Sequence, residues 1–198
     1  MLVKTFAARE DVRAIVGLDK EPLPELIAGE KKLHYVQMNT SDPGWEELVR
    51  KESPDIVIHC AWQIREMYGK QDLQWKWNVE GSERVFAFAF REPSVKRLIH
   101  FSTVASYGAF PENSLEHRFT EDEPFRASDY LYAEEKRIVE ERLRNEWEEA
   151  RKRGSRVQVA VVRPAAITGP RASNSLNMYL ASGAYAPTFA CSTYAAAL

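Results

Sequence analysis

Ile56-Val57-Ile58-His59-Cys60-Ala61 and Arg97-Leu98-Ile99-His100-Phe101-Ser102 are two short, almost unbroken apolar runs in a chain that is 28% charged. A strand with one solvated face alternates apolar and polar residues, whereas a parallel strand covered on both faces reads as a continuous apolar run. The two runs therefore predict buried parallel strands over 55–60 and 97–102. Working outward, similar β-rich runs predict strands over 13–18, 33–37 and 156–162. Helical patterns fall between them near 24–28, 43–51, 70–90 and 129–153. Strand and helix in alternation imply right-handed crossovers and an α/β fold, a doubly wound and mostly parallel sheet with helices on both faces.

Composition narrows the function classes. The 198 residues are 44% hydrophobic and 11% aromatic, enough for a real core and too much for a disordered chain. Lys and Arg total 27 against 29 Asp and Glu, a net charge of -2, which offers no electrostatic footprint for nucleic acid. No apolar run is long enough for a membrane helix and the first residues lack a signal-peptide pattern, so a cytoplasmic protein with no membrane partner is expected. Cys60 and Cys191 stand far apart, and His34, His59, His100 and His117 never fall at ligand spacing, so no metal site is expected.

Both ends are unusual. Leu2 to Ala8 reads as the back half of a helix leading into the first strand. Nothing after Arg171 is charged, and the closing 27 residues include eight alanines. A partial domain over 1–171 is expected, with 172–198 as an uncharged tail or the start of an absent substrate-binding region.

Three groups of residues carry chemistry. Asp19 ends the first strand, where an acid in a dinucleotide fold accepts hydrogen bonds from the adenosine ribose; equally, it reads as a loop carboxylate ahead of Pro22 and Pro24. A glycine-rich phosphate turn belongs about 20 residues before such an acid. Of nine glycines the first is Gly17, and no two are spaced Gly-x-Gly. The expectation is that a first strand and its glycine turn precede residue 1.

The second group is Tyr132-Ala133-Glu134-Glu135-Lys136. At about 100° per residue, Tyr132, Lys136, Val139, Leu143, Trp147 and Ala150 share one stripe, which Val, Leu and Trp mark as inward-facing. Glu134, Glu135, Arg137, Glu141 and Arg144 are assigned to the outer surface. An ammonium near a phenol lowers the phenol pKa from about 10 and prepares it as a general acid or base. A snorkelling Lys beside a core Tyr fits the pattern as well. The third group is Ser102-Thr103-Val104-Ala105-Ser106-Tyr107-Gly108, at the carboxyl end of a buried strand, where parallel sheets place ligands. A Ser/Thr turn closing the strand accounts for it almost equally.

In order, an acid after a strand, His-x-Ala, Asn-Val-x-Gly, a Ser/Thr run before Tyr-Gly, Tyr-x-x-x-Lys, Arg-Pro and Gly-Pro resemble the extended short-chain dehydrogenases/reductases. More narrowly, residues 2–170 resemble the NAD-dependent epimerase/dehydratase family, with its Rossmann-type fold. The resemblance implies NAD as cofactor, NADP being the alternative because Lys20 adjoins Asp19. It implies Thr103, Tyr132 and Lys136 as catalytic residues. Cofactor contacts would come from Asp19, Asn39, Ala61, Trp62, Asn78, Tyr132, Lys136, Pro164, Ala166 and Ile167. Asn39 stands where the family usually has Asp, and Trp62 replaces a usually small residue and narrows the space. The implied substrate is a small molecule, a nucleotide sugar or a relative of one, and the reaction an epimerisation, dehydration or reduction at a hydroxyl or carbonyl carbon. The alternatives are a non-catalytic dinucleotide-binding sensor of the same fold and an inactive fragment. A homodimer is expected through the two long helices, with Trp75, Trp77, Phe86, Phe88 and Phe90 as apolar surface.

Overall fold

A computed structural model describes residues 2–108, 110–114, 116–126, 129–165, 167 and 194–197. All five expected strands form: β1 (Ile15–Asp19), β2 (Leu33–Gln37), β3 (Ile56–His59), β4 (Arg97–Phe101) and β5 (Gln158–Arg163). β1 pairs with β2 in parallel, Ile15 opposite Leu33 and Asp19 opposite Gln37. β3, β4 and β5 are parallel neighbours, with Ile56 opposite Arg97 and Arg97 opposite Gln158. A sixth strand, β6 (Tyr194–Ala197), lies antiparallel on β5 inside the expected tail. The strands form two sheets, β1-β2 and β3-β4-β5-β6, with no pairing between β1 and β3. One core nevertheless serves both, because Val16, Leu18 and Val36 pack on the same cluster as Val57.

The helices are α1 (Leu2–Ala7), α2 (Trp45–Arg50), α3 (Gln71–Trp75), α4 (Gly81–Arg91) and α5 (Leu131–Lys152). The helix expected over 24–28 is only a 3-10 turn, Glu25–Ile27, because Pro22 and Pro24 precede it and Gly29 follows. The helix expected over 70–90 is divided by a π turn, Lys76–Glu80, between α3 and α4. Wide turns of this kind break the regular helix and cluster at functional positions. Here the wide turn holds Asn78 and Val79 fully buried side by side. α4 starts so close to the 40–41 segment that a Cβ on Gly81 would stand 2.5 Å from Thr40 Oγ1, which leaves glycine as the fitting residue.

Ser82, Val85, Phe86 and Ala89 form the inward stripe of α4, and Val139, Leu143 and Ala150 that of α5. Both meet Leu98 on β4 and Val159 and Val161 on β5. Each buried Phe, Leu or Val contributes about 1.5–3 kcal/mol of hydrophobic stabilisation. Phe86 is fully buried, and Phe88 packs on Trp45 with ring centroids 5.3 Å apart. These two aromatics, expected on a dimer surface, face the core of the single chain; Trp75, Trp77 and Phe90 are half-buried. No helix among the described residues is long and apolar enough to cross a membrane.

Candidate active site

The carboxyl ends of β3, β4 and β5 and the first turns of α5 bring the chemistry-bearing residues together. Chain geometry explains why: parallel strands all point their carboxyl ends to one edge, and each following segment starts there. β4 runs into Ser102 and Thr103, both buried, and Thr103 opens the 3-10 helix Val104–Tyr107. Thr103 Oγ1 accepts a hydrogen bond from Ala105 N at 3.2 Å, so the turn reading of this segment is correct locally. Thr103 also acts on Tyr132, one residue inside α5, through its side chain. Burial pushes the Tyr132 phenol up from its ordinary pKa, and the Thr103 side chain opposes that shift.

Lys136 stands one helical turn after Tyr132 and is 4% exposed. Its Nζ donates to Phe101 O at 2.6 Å and lies 3.7 Å from the centroid of the Trp62 ring. Burial lowers the Lys136 pKa to about 7, against smaller upward effects from Cys60 and Glu140. The expected influence of this ammonium on the phenol is corrected here. Tyr132 is shifted upward, by burial first, with Thr103 opposing and Tyr130 adding to the shift, while the contacts of Lys136 Nζ are Phe101 O and the Trp62 indole.

Trp62 completes this wall. Its ring meets that of Tyr132 edge to face at 6.3 Å, and its Nε1 is buried without a hydrogen-bond partner. Ala61 precedes it, half-buried, just beyond β3. Cys60 reaches solvent, yet the protein packed around its sulfur pushes the thiol up, with Lys136 opposing and Asp19 adding to the shift.

Beneath the site, His59 and His100 stack with centroids 5.3 Å apart. Burial, with Lys136 as a smaller cause, lowers His59 to about 3, and burial also holds His100 well below its ordinary value. Both imidazoles are therefore neutral at neutral pH. Ser82 Oγ donates to Asn78 O, so His59 Nε2 carries the hydrogen in its 2.8 Å contact with Ser82.

Other expected cofactor contacts have local partners. Asp19 is exposed, and its Oδ1 accepts from Glu21 N at 3.0 Å, forming a turn. Asn39 Oδ1 accepts from Ser41 N at 2.9 Å. Asn78 is fully committed to protein: its Nδ2 donates to Gln63 O at 3.0 Å and to Glu135 Oε2 at 2.7 Å, and its Oδ1 accepts from Gln63 N at 2.7 Å. Asn78 thus fixes the segment after Trp62 instead of presenting a free amide. Pro164 O accepts from Val104 N at 3.2 Å, tying the end of β5 to the Thr103 turn. Ile167 is exposed, and Ala166 lies outside the described residues.

Two groups escaped the sequence reading. Glu135, assigned to the outer surface, is 2% exposed and accepts from Gln74 Nε2 at 3.1 Å as well as from Asn78. Glu140 and Arg163 form a buried ion pair, with Nε at 2.9 and 3.1 Å from the two carboxylate oxygens. Arg163 Nη1 also donates to Tyr107 Oη at 2.6 Å, and that hydroxyl donates to Thr120 O at 2.9 Å. The signal was present: Glu135 is three residues after Tyr132 and Glu140 four after Lys136, both on the inward side of α5. A separate surface hollow between Phe90, Arg91 and Ala150 to Ser155 lies at the opposite, amino-terminal edge of the sheet and holds none of these groups.

Mostly parallel sheets packed with helices, and a Tyr and Lys one turn apart beside a Ser/Thr strand end, define a Rossmann-like protein of the extended short-chain dehydrogenase/reductase kind. The sequence profile of the NAD dependent epimerase/dehydratase family matches residues 1–184, and the chain belongs to that family. Among solved structures it is similar to WbmG of Bordetella bronchiseptica, crystallised with NAD (23% identity, TM-score 0.72, 93% of this chain and 56% of that one). It is also similar to UDP-glucuronic acid 4-epimerase of Bacillus cereus, crystallised with NAD (16% identity, TM-score 0.68, 92% and 60%). An uncharacterised protein of Mycobacterium tuberculosis is 24% identical over 190 residues, 94% of this chain and 49% of the relative. The chain therefore spans about half the length of the curated relatives it matches.

Proposed function

We propose that the chain carries the acid/base centre and the nicotinamide end of the cofactor site of an NAD-dependent epimerase, dehydratase or reductase. The observation that carries this reading is the convergence of Thr103, Tyr132 and Lys136 at one strand edge, where Thr103 and Lys136 are buried and Lys136 Nζ donates to Phe101 O at the end of β4. A nucleotide sugar is the substrate class that the neighbours suggest, since WbmG was also crystallised with UDP and MoeE5 with UDP-glucose.

The residues fit the nicotinamide half of a dinucleotide. The Lys136 ammonium has three hydrogens to donate, and Phe101 O takes one. Asp19 presents an exposed carboxylate at the end of β1, suited to ribose hydroxyls and repelling a 2′-phosphate. Lys20 is paired with Glu21 and lies 5.0 Å over the Trp77 ring, which favours NAD over NADP. Pyrophosphate needs a glycine-rich turn at a helix N-terminus, and none stands among the described residues.

Hydride transfer at the reacting carbon is the chemistry that a bound dinucleotide supplies. Tyr132 exchanges the proton with the substrate oxygen, while Thr103 Oγ1 orients that oxygen. With its pKa raised by burial, Tyr132 rests as a phenol, and that state protonates a carbonyl oxygen directly. The half-buried Trp75, Trp77 and Phe90 beside α4 offer surface for a homodimer, which size exclusion with light scattering tests; a clean monomer removes that part.

Calorimetric titration with NAD tests the site. Binding to the wild type and to Tyr132→Phe with similar affinity, and turnover of a nucleotide sugar lost only in the variant, is the expected result. Unchanged turnover in Tyr132→Phe refutes its role, and no binding of NAD or NADP refutes the reading.

A further inference from the structure

The Trp62 indole is held in a way its surroundings explain only in part. Its face covers the Lys136 ammonium at 3.7 Å, and its ring meets that of Tyr132 edge to face, yet its Nε1 is buried with no hydrogen-bond partner. Leaving such a donor unpaired costs free energy, which the cation–π contact offsets. The backbone beyond it is fixed, with Gln63 bonded through both its N and its O to Asn78, and Met67 N to Gln74 Oε1 at 2.8 Å. Those two carboxamides are themselves gripped by Glu135. The pinning stops at Gln63, so rotation about the Trp62 side-chain bonds moves the indole without moving the segment.

Resting on the reading above, we infer that Trp62 is an affinity-setting residue: its indole covers the Lys136 donors that a ribose would use, and ligand binding at Lys136 displaces it. A ring 3.7 Å from Nζ leaves no room for a second group on that side of the ammonium. Every ligand that hydrogen-bonds Lys136 there must therefore break the cation–π contact first.

The tests use the full chain. A desolvated cation–π contact of about 1–2 kcal/mol corresponds to roughly five- to thirty-fold, so Trp62→Ala is expected to bind NAD about that much more tightly in calorimetry. Independently of any ligand, acetylation of Lys136 by acetic anhydride, followed by peptide mass spectrometry, should accelerate in Trp62→Ala. Acetylation in Trp62→Phe should stay near the wild-type rate, because a phenyl ring still covers the ammonium; this variant also serves where Trp62→Ala does not fold. In the wild type, NAD should change tryptophan emission, and Trp62→Phe should lose that change. NAD binding that weakens or stays unchanged in Trp62→Ala while the wild type binds overturns this inference alone. Equal acetylation rates in all three proteins overturn it too, and absence of NAD binding by wild type and variants alike overturns it together with the proposed function.

Discussion

Glu140 and Arg163 meet as a buried pair, each side chain 5% exposed, between the third turn of α5 and the last residue of β5. The pair joins the helix that carries Tyr132 and Lys136 to the strand that leads into Pro164. Through Tyr107 it also reaches Thr120 in the segment between the Thr103 turn and α5. The ends of three chain segments are thereby held in one arrangement by a single guanidinium.

Glu140→Ala leaves the Arg163 guanidinium buried without its counter-charge. Breaking one side of such a pair costs about 3–5 kcal/mol, so the urea midpoint should fall markedly. The same change removes an upward influence on Lys136, whose pKa should drop below about 7. A loss under about 1 kcal/mol in urea unfolding would show that water reaches the pair.

Glu135 acts on the Trp62 segment through Gln74 and Asn78. In Glu135→Ala both carboxamides lose a buried acceptor, at about 1–3 kcal/mol for each orphaned donor. Hydrogen exchange of the Gln63 and Met67 amides, which these carboxamides now hold, should accelerate. Unchanged exchange there, with only global destabilisation, would restrict Glu135 to a packing role.

Lys136 makes folding pH-dependent in a defined window. Its pKa of about 7 in the folded chain lies below the ordinary value of 10.5, so the unfolded chain binds that proton more tightly between these limits. Stability from this group therefore rises with pH from about 7 to 10.5, and the penalty is fully present below 7. Lys136→Met removes the penalty and should raise Tm at pH 6.5 by at least about 2–4 °C, the shift expected for about 1 kcal/mol in a chain of this size. The gain should shrink as pH approaches 10; a gain independent of pH would locate the effect in packing.

The strands were legible in the sequence because burial on both faces writes continuous apolar runs, and β3 and β4 begin and end within a residue or so of the runs that predict them. The same held for α5, whose Val139, Leu143 and Ala150 repeat at helical spacing and are all buried. What misled was charge. Glu135 and Glu140 lie on the inward side of α5 with Lys136, whose place on the inward stripe was legible, and polarity alone sends a carboxylate outward. Only the carboxamides of Gln74 and Asn78 and the guanidinium of Arg163, each from a distant part of the chain, make those burials tolerable. Asn78 was expected at the cofactor through the family resemblance, and its protein partners, in the loop after β3 and on α5, are set by the tertiary structure.

By itself, then, the sequence determined the alternation of strand and helix, the edge of the sheet at which Thr103, Tyr132 and Lys136 stand, and the family. Those properties are written in local periodicity and in the order of short motifs. Tertiary structure decided the π turn at Lys76–Glu80, the separation of β1-β2 from β3-β4-β5-β6, the buried carboxylates and the place of the Trp62 ring on Lys136. Each of these depends on which groups meet across tens of residues, because the free energy of burying a charge or an aromatic donor is set by its neighbours in space.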